Sequence, residues 1–500
     1  MNAIQFQPGT RILFKRGATC HGSFMPLAGS SGASGAPIVV EPYGSRALPR
    51  PVIAAGCRAA RPDPKQALTA ASKQPEGVSP YFSLCTADEG KVHRAALHLS
   101  NLEHWEINGL ELTNDGLQEA GRVGLLVQLE DFGTGHHYRI NDVYVHHVRG
   151  YLKDAPERAL AYKSTGGILF EVTRDGERPG TRQKPTNFDD VLIQNSEVFH
   201  VDGIGVSNRS AWMCRPRGAP CGDFPPYKNH PGYLQETAAQ AATEFYPSTR
   251  LVLRNNKIHD VGGDGVIVRT ATSPLVEANL IYDIWMRSPG NSAGAWAINT
   301  DGAVFQYNEV HGVRLRPEFE SGDGMAFDAD MGTRNTRVVA NYSHDNAGGL
   351  MLFCGCGKDG LGQTAMVEDV VVERNLSVND RRRAVLVAGL DNAVVNGNLF
   401  VTAQPAALFE IHDKGTPDML EFRNNRVIHT GTGGSLYRIT STPGSAAKFT
   451  WRGNAFHGYP DSAETGAAVP VTVKETQGLI ARWFASTGFR QRGYQAGKRP

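Results

Sequence analysis

Residues 255–284 read NNKIHDVGGDGVIVRTATSPLVEANLIYDI. A short apolar run follows Asn256, a Gly-Asp-Gly turn breaks it, the run GVIV follows, and the cycle restarts at Asn279. Short apolar runs between Gly, Asn and Asp turns are strand signals, and no helix-period segment intervenes.

The phrase recurs along the chain. It stands at Asn108 (INGLEL), Asn141 (INDVYVHHV), Asn195 (QNSEVFHV), Asn256 (NNKIHDV), Asn279 (ANLIYDI) and Asn308 (YNEVHGV). It continues at Asn341 (ANYSHDN), Asn375 (ERNLSVND), Asn398 (GNLFV), Asn425 (NNRVIHT) and Asn454 (GNAFHGY). From Asn256 the steps are 23, 29, 33, 34, 23, 27 and 29 residues. Second strands follow at DGIGV (202–206), GDGVIV (263–268), GDGMAF (322–327), GGLMLF (348–353) and AVLVAG (384–389). One such unit cannot bury an apolar face alone, but stacked units can, so the repeat predicts an all-β, single-stranded parallel β-solenoid. All eleven asparagines are read in one register, with side-chain amides bonding from coil to coil.

The repeat fills residues 90–460, with excursions at 151–188 and 207–249, the latter a long loop holding Trp212 and Tyr233 and a helical turn near 235–243. Residues 1–89 read as the N-terminal part of the same domain and 461–500 as a cap or tail. The opening MNAIQFQPGTRILFKRG has no apolar signal core and reads as the inside of a domain, a turn at Pro8-Gly9 before a strand over 11–15. A preceding segment with an export signal is therefore expected.

The charge balance, 51 Lys+Arg against 50 Asp+Glu, speaks against nucleic-acid or membrane partners recruited by charge. Mean hydropathy is −0.33, and no apolar run reaches the ~20 residues that cross a bilayer. Seven cysteines leave at least one unpaired within the chain. Cys214 and Cys221 bracket a polar loop and can pair; Cys354-Gly-Cys356 reads as too tight for a mutual disulfide.

These repeats resemble the right-handed parallel β-helix superfamily of pectate lyases, polygalacturonases and other polysaccharide-active enzymes. The stretches NKIHDVGGDGVIVRT, AGAWAINTDGAVFQYNEV and GDGMAFDADMGTRNTRVVANYSHDNAGGLMLFCG are more narrowly similar to a secreted bacterial group near glycoside hydrolase family 141. That resemblance implies a right-handed coil, a secreted or periplasmic protein, and action on fucosyl or xylosyl polymers. NTDG at 299–302 also echoes the polygalacturonase NTD motif, but that family's Asp-Asp, Gly-His-Gly and Arg-Ile-Lys motifs are missing.

Strand alternation places Val266, Val268, Met325, Phe327, Leu350 and Leu352 in the core and turns Arg269, Asp328 and Asp330 outward. Asp is disfavoured on strands, so two on one face call for a function; Asp264 and Asp323, in Gly-Asp-Gly turns, also suit backbone capping. Asp328 and Asp330 are the expected acid/base pair, with Asp301 and Asp323 beside them, and crowding should split their pKa values. Coil spacing allows both retaining and inverting separations, and favours an inverting or lyase-like site. Arg269, His344, Asp264, Trp296, Trp212 and Tyr233 are the expected substrate contacts.

The leading expectation is an enzyme that hydrolyses a polysaccharide or oligosaccharide through paired aspartates and requires no cofactor. The alternative is a lyase acting on a uronate polymer with Arg269 or His344 as base and Ca²⁺ on the acidic group. A non-catalytic glycan-binding solenoid would instead scatter its outward aspartates.

Overall fold

The computed structural model describes residues 1–56, 85, 92–153, 161–174, 184–219, 244–315, 322–359, 361–404, 406–412, 416–431, 435–439, 448–459 and 471–496. Tyr233, Cys221 and the helical turn near 235–243 lie outside the described residues.

Successive coils stack their strands into three parallel sheets. The first sheet runs from Arg11–Lys15 to Phe449–Arg452, the second from Thr19–His21 to Ala455–His457, and the third from Ala95–Ser100 to Ser435–Ile439. The strand expected over 11–15 is there, paired with Ile38–Tyr43. The molecule is a right-handed parallel β-helix. Inward side chains of the three sheets meet on the axis, where Trp105, Tyr138, Phe170, Phe188, Phe305, Phe327, Phe353, Phe409 and Phe422 are all less than 2 % exposed.

The asparagine ladder forms over eight coils. From Asn256 through Asn279, Asn308, Asn341, Asn375, Asn398 and Asn425 to Asn454, each Nδ2 donates to the next Oδ1 at 3.0–3.2 Å. Each Nδ2 from Asn256 to Asn454 also donates to a backbone carbonyl one coil back in the first sheet, as Asn308 does to Val276 O at 2.9 Å. The three upstream asparagines are out of this register: Ser196 takes the ladder position beside Asn256, while Asn195 bonds Asn141 and Asn255. What recurs in all eleven coils is the turn. Gly109, Asp142, Asn195, Asn255, Ala278, Tyr307, Ala340, Arg374, Gly397, Asn424 and Gly453 all have φ between 52° and 65°.

The helix Val473–Thr487 carries a Thr472/Glu475 capping box and ends at Gly488 in the left-handed region. It runs along the flank of the second sheet. Trp483 and Phe489 pack on Leu376, Leu399, Val401 and Ile428, and Trp483 Nε1 donates to Arg374 O at 2.7 Å. No described helix is long and apolar enough to cross a membrane.

One cysteine expectation changes. Cys354 and Cys356 are disulfide-bonded, because their side chains meet at the end of the strand Gly349–Cys354 where the chain turns. Cys214 is also in a disulfide, and Cys20 is the free thiol among the described residues.

Candidate active site

The strand Met325–Asp330 lies in the third sheet between Ala295–Ile298 and Gly349–Cys354. Trp296 and Leu352 flank Asp328 in register, and Cys354 flanks Asp330. All face outward, on the side where Tyr162, Lys163, Met213 and Ala219 lie. Ala326 and Phe327 are consecutive core residues, as are Leu350 and Met351 one coil on. Alternation restarts there, which corrects the expected orientation of Met325 and Leu352. Both point outward and form an apolar cluster with Cys354, Leu386 and Ala388.

A cavity of about 410 Å³ opens above these strands. That is the size of a ligand site, about 300–1,000 Å³. Asp264, Asp323, Asp328 and Asp330 line it together with Lys163, Arg269 and Trp296 at one end and Leu386, Ala388 and His412 at the other. The insertion supplies a wall, Met213 and Ala219. It is tied down by Arg215, which donates to Asn299 Oδ1 at 3.0 Å, and by Arg217, paired with Asp391 at 2.6 Å.

Asp264 is fully buried and spoken for. Its Oδ2 accepts from Lys163 Nζ at 2.9 Å, and its Oδ1 from Trp296 Nε1 at 2.9 Å and Ala293 N at 3.1 Å. Lys163 also donates to Asn291 O and lies 4.7 Å from the Trp296 ring centre. Burial works against the Lys163 charge, but Asp264 holds its pKa above the ordinary value. The Arg269 guanidinium sits 5.3 Å from the same ring, its pKa brought down to about 10 by burial and by Arg209. Trp296 is thus a shelf for two cations, which corrects its expectation as a free stacking platform.

The other three carboxyls face one another. Burial pushes Asp323 up to about 7, with Asp330 and Asp264 adding to the shift and Lys163 opposing it. Burial also raises Asp330, to about 6, against the Met331 N–H at 2.6 Å and the charges of Lys163 and Arg269. Asp328 is raised well above the carboxylate range by burial and by both neighbours. It is 6 % exposed, and its Oδ1 has no hydrogen-bond partner among the described residues. Like charges in a poorly hydrated space cannot all ionise, so the cavity holds protonated and ionised carboxyls side by side at neutral pH.

The remaining expectations separate from this cavity. Asp301 bonds Arg215 and Arg334, each at 2.8 Å, and these hydrogen bonds outweigh burial and hold its pKa below the usual range. It fastens the insertion and does not line the cavity. His344 belongs to the strand Tyr342–His344 of the second sheet, where it stacks on His311 at 4.4 Å. Trp212 is a core residue, its ring 4.0 Å from the Arg174 guanidinium and edge-on to Tyr246. Sequence reading missed Lys163, which arrives from a charged excursion 101 residues before Asp264. It also missed His412, whose Nε2 meets Glu410 at 2.9 Å at the far wall.

Asp330, Cys354 and Cys356 lie close enough to hold an ion. With the two sulfurs joined, however, they offer no thiolate, and a Ca²⁺ here would have to bind the carboxylates of Asp323, Asp328 and Asp330.

Fold and site together define a β-helix with an acidic, cation-flanked cavity on the outside of one sheet. A family model described as a right handed beta helix region matches residues 236–456. The chain is 23% identical over 464 residues to a lacto-N-biosidase of Bifidobacterium longum subsp. longum, an alignment covering 85% of this chain and 27% of that protein. The crystal structure of the native GH136 lacto-N-biosidase from Eubacterium ramulus superposes with a TM-score of 0.57 at 21% identity, covering 91% of this chain and 63% of that one. Its selenomethionine derivative gives 0.55 at 20% identity. The chain therefore spans about a quarter of the curated relative and under two thirds of the solved one.

Proposed function

We propose that this chain is the catalytic β-helix of an extracellular glycoside hydrolase that works through Asp323 and Asp330. The observation that carries the reading is the convergence of Asp264, Asp323, Asp328 and Asp330 on one ligand-sized cavity, where a binding solenoid would scatter them. Asp323, pushed up to about 7, keeps its proton at mildly acidic pH and gives it to the glycosidic oxygen as the C–O bond breaks. Asp330, beside Arg269 and Lys163 and capped by the Met331 N–H, is the ionised partner. It acts on the anomeric carbon or on a water, alternatives that the anomer first released distinguishes. Asp328, held neutral, donates a hydrogen bond to a sugar oxygen. Asp328 thus moves from acid/base to substrate contact, and Asp323 takes the acid's place.

The disulfides at Cys85, Cys214 and Cys354–Cys356 support an oxidising, extracellular or periplasmic setting. The relatives named lacto-N-biosidases support an oligosaccharide ending in lacto-N-biose as the first substrate to try. The resemblance to the group near family 141 supports fucosyl and xylosyl polymers as the second. Hydrolysis by this pair needs no metal, so EDTA should leave it intact.

A glycan panel scored for new reducing ends and for the ultraviolet absorbance of unsaturated uronates tests the reading. Reducing ends without absorbance fit hydrolysis; a rise in both would replace it with elimination, Arg269 serving as base.

A further inference from the structure

The outer face of the second sheet carries a column of stacked rings, one per coil. His146, Phe199, His259, Tyr282, His311 and His344 follow at centroid spacings of 4.4–5.3 Å with adjoining planes within 20°. Packing alone explains such a column. At His311 and His344 the chemistry changes: two imidazoles are register partners in adjacent coils. Glu309, two residues before His311 on the same outward face, brings Oε1 to 3.3 Å from His344 Nε2. Asp345 takes the other nitrogen of His344, Oδ2 to Nδ1 at 2.8 Å. A carboxylate on one ring nitrogen is how proteins aim the second nitrogen at a metal. One donor atom from each of Glu309, His311 and His344 lies within 4.8 Å of the others. By contrast, His259 has Glu197 beside it at 2.9 Å but Phe199 and Tyr282 as ring neighbours.

We propose that Glu309, His311 and His344 bind one divalent transition-metal ion of the Zn²⁺ class. Two imidazoles and a carboxylate suit Zn²⁺, Co²⁺ or Ni²⁺, whereas Ca²⁺ takes only oxygen ligands. Tetrahedral bonds of about 2.05 Å set donor atoms about 3.3 Å apart. Glu309 Oε1 and His344 Nε2 already stand 3.3 Å apart and the His311 donor lies within 4.8 Å of both, with Tyr282 stacked 5.0 Å from the His311 ring. All three ligands are half-buried, so the ion enters from solvent and water completes its shell. The site is on a different sheet from the acidic cavity and stands whether or not the chain hydrolyses glycans.

Calorimetric titration of the untagged chain with Zn²⁺, and the visible spectrum with Co²⁺, test it. The wild type should bind one equivalent at this site, show a tetrahedral cobalt spectrum and gain thermal stability with Zn²⁺. His311→Ala and His344→Ala should lose that equivalent and the spectrum, and Asp345→Asn should weaken it about tenfold or more. Glu309→Gln keeps the ring stack and nearly the same shape, so it tests the site even where an alanine variant fails to fold; it too should lose the equivalent. No Zn²⁺ bound by the wild type, or binding unchanged in Glu309→Gln and the histidine variants, overturns the proposal.

Discussion

At Asp330 a backbone N–H and two nearby cations work against burial, while at Asp323 burial meets less opposition. Activity should therefore fall below about 6 as Asp330 takes up a proton and above about 7 as Asp323 loses one. A bell-shaped kcat/KM profile between those limbs is the expected record. Asp323→Asn and Asp330→Asn should each cost about 10²–10⁴-fold in kcat. Full activity in either would remove that residue from the mechanism. Lys163→Met takes away a charge that holds Asp323 down, so the alkaline limb should move to higher pH. Asp328 makes a different, thermodynamic prediction. Its pKa is higher folded than unfolded, so the stability it contributes is complete below the unfolded carboxylate value and is lost as pH rises. Asp328→Asn should raise the Tm at pH 8, with the gain vanishing towards pH 4. The pair Asp328 and Asp330 was visible in sequence because acids on a strand face are costly without a purpose. Lys163 was not, because nothing local ties it to Asp264, 101 residues on.

The asparagine ladder shows how much one turn contributes to the stack. Asn308 is fully buried, and its amide meets Asn279, Asn341 and Val276 O. Asn308→Ala strands buried backbone groups and should cost about 1–3 kcal/mol in urea unfolding. Asn108, whose one ladder contact is at 3.4 Å and half-exposed, should tolerate alanine with little loss. A common register for all eleven was a fair reading of spacing, but hydrogen bonding counts residues from the left-handed turn. In the coils at Asn108 and Asn141 the asparagine stands one residue ahead of that turn. The same limit applied to Met325 and Leu352. Alternation reads correctly until two consecutive residues face the core, and nothing in GDGMAF marks where that happens.

Across the molecule, the C-terminal segment joins coils that are far apart in the stack. Gln495 N donates to Asn255 Oδ1 at 2.8 Å, Arg492 meets Tyr307 Oη at 2.6 Å, and Trp483 reaches Arg374. In a solenoid each coil otherwise touches only its neighbours, so such a clasp makes unfolding more cooperative. Trp483→Ala should cost about 3 kcal/mol and broaden the denaturant transition. The architecture was legible from the chain alone, because short strands recurring between turns bury their apolar sides by stacking coil on coil. The outward direction of Asp328 and Asp330 followed from strand alternation. Which outward residues meet did not follow. The excursions that bring Lys163, Met213 and Arg215 over the third sheet carry no repeat, and their positions depend on long-range ion pairs and hydrogen bonds. The cavity, the exclusion of Asp301 and His344 from it, and the separate tuning of three neighbouring carboxyls were therefore decided only when the chain had folded, since burial and charge act through space.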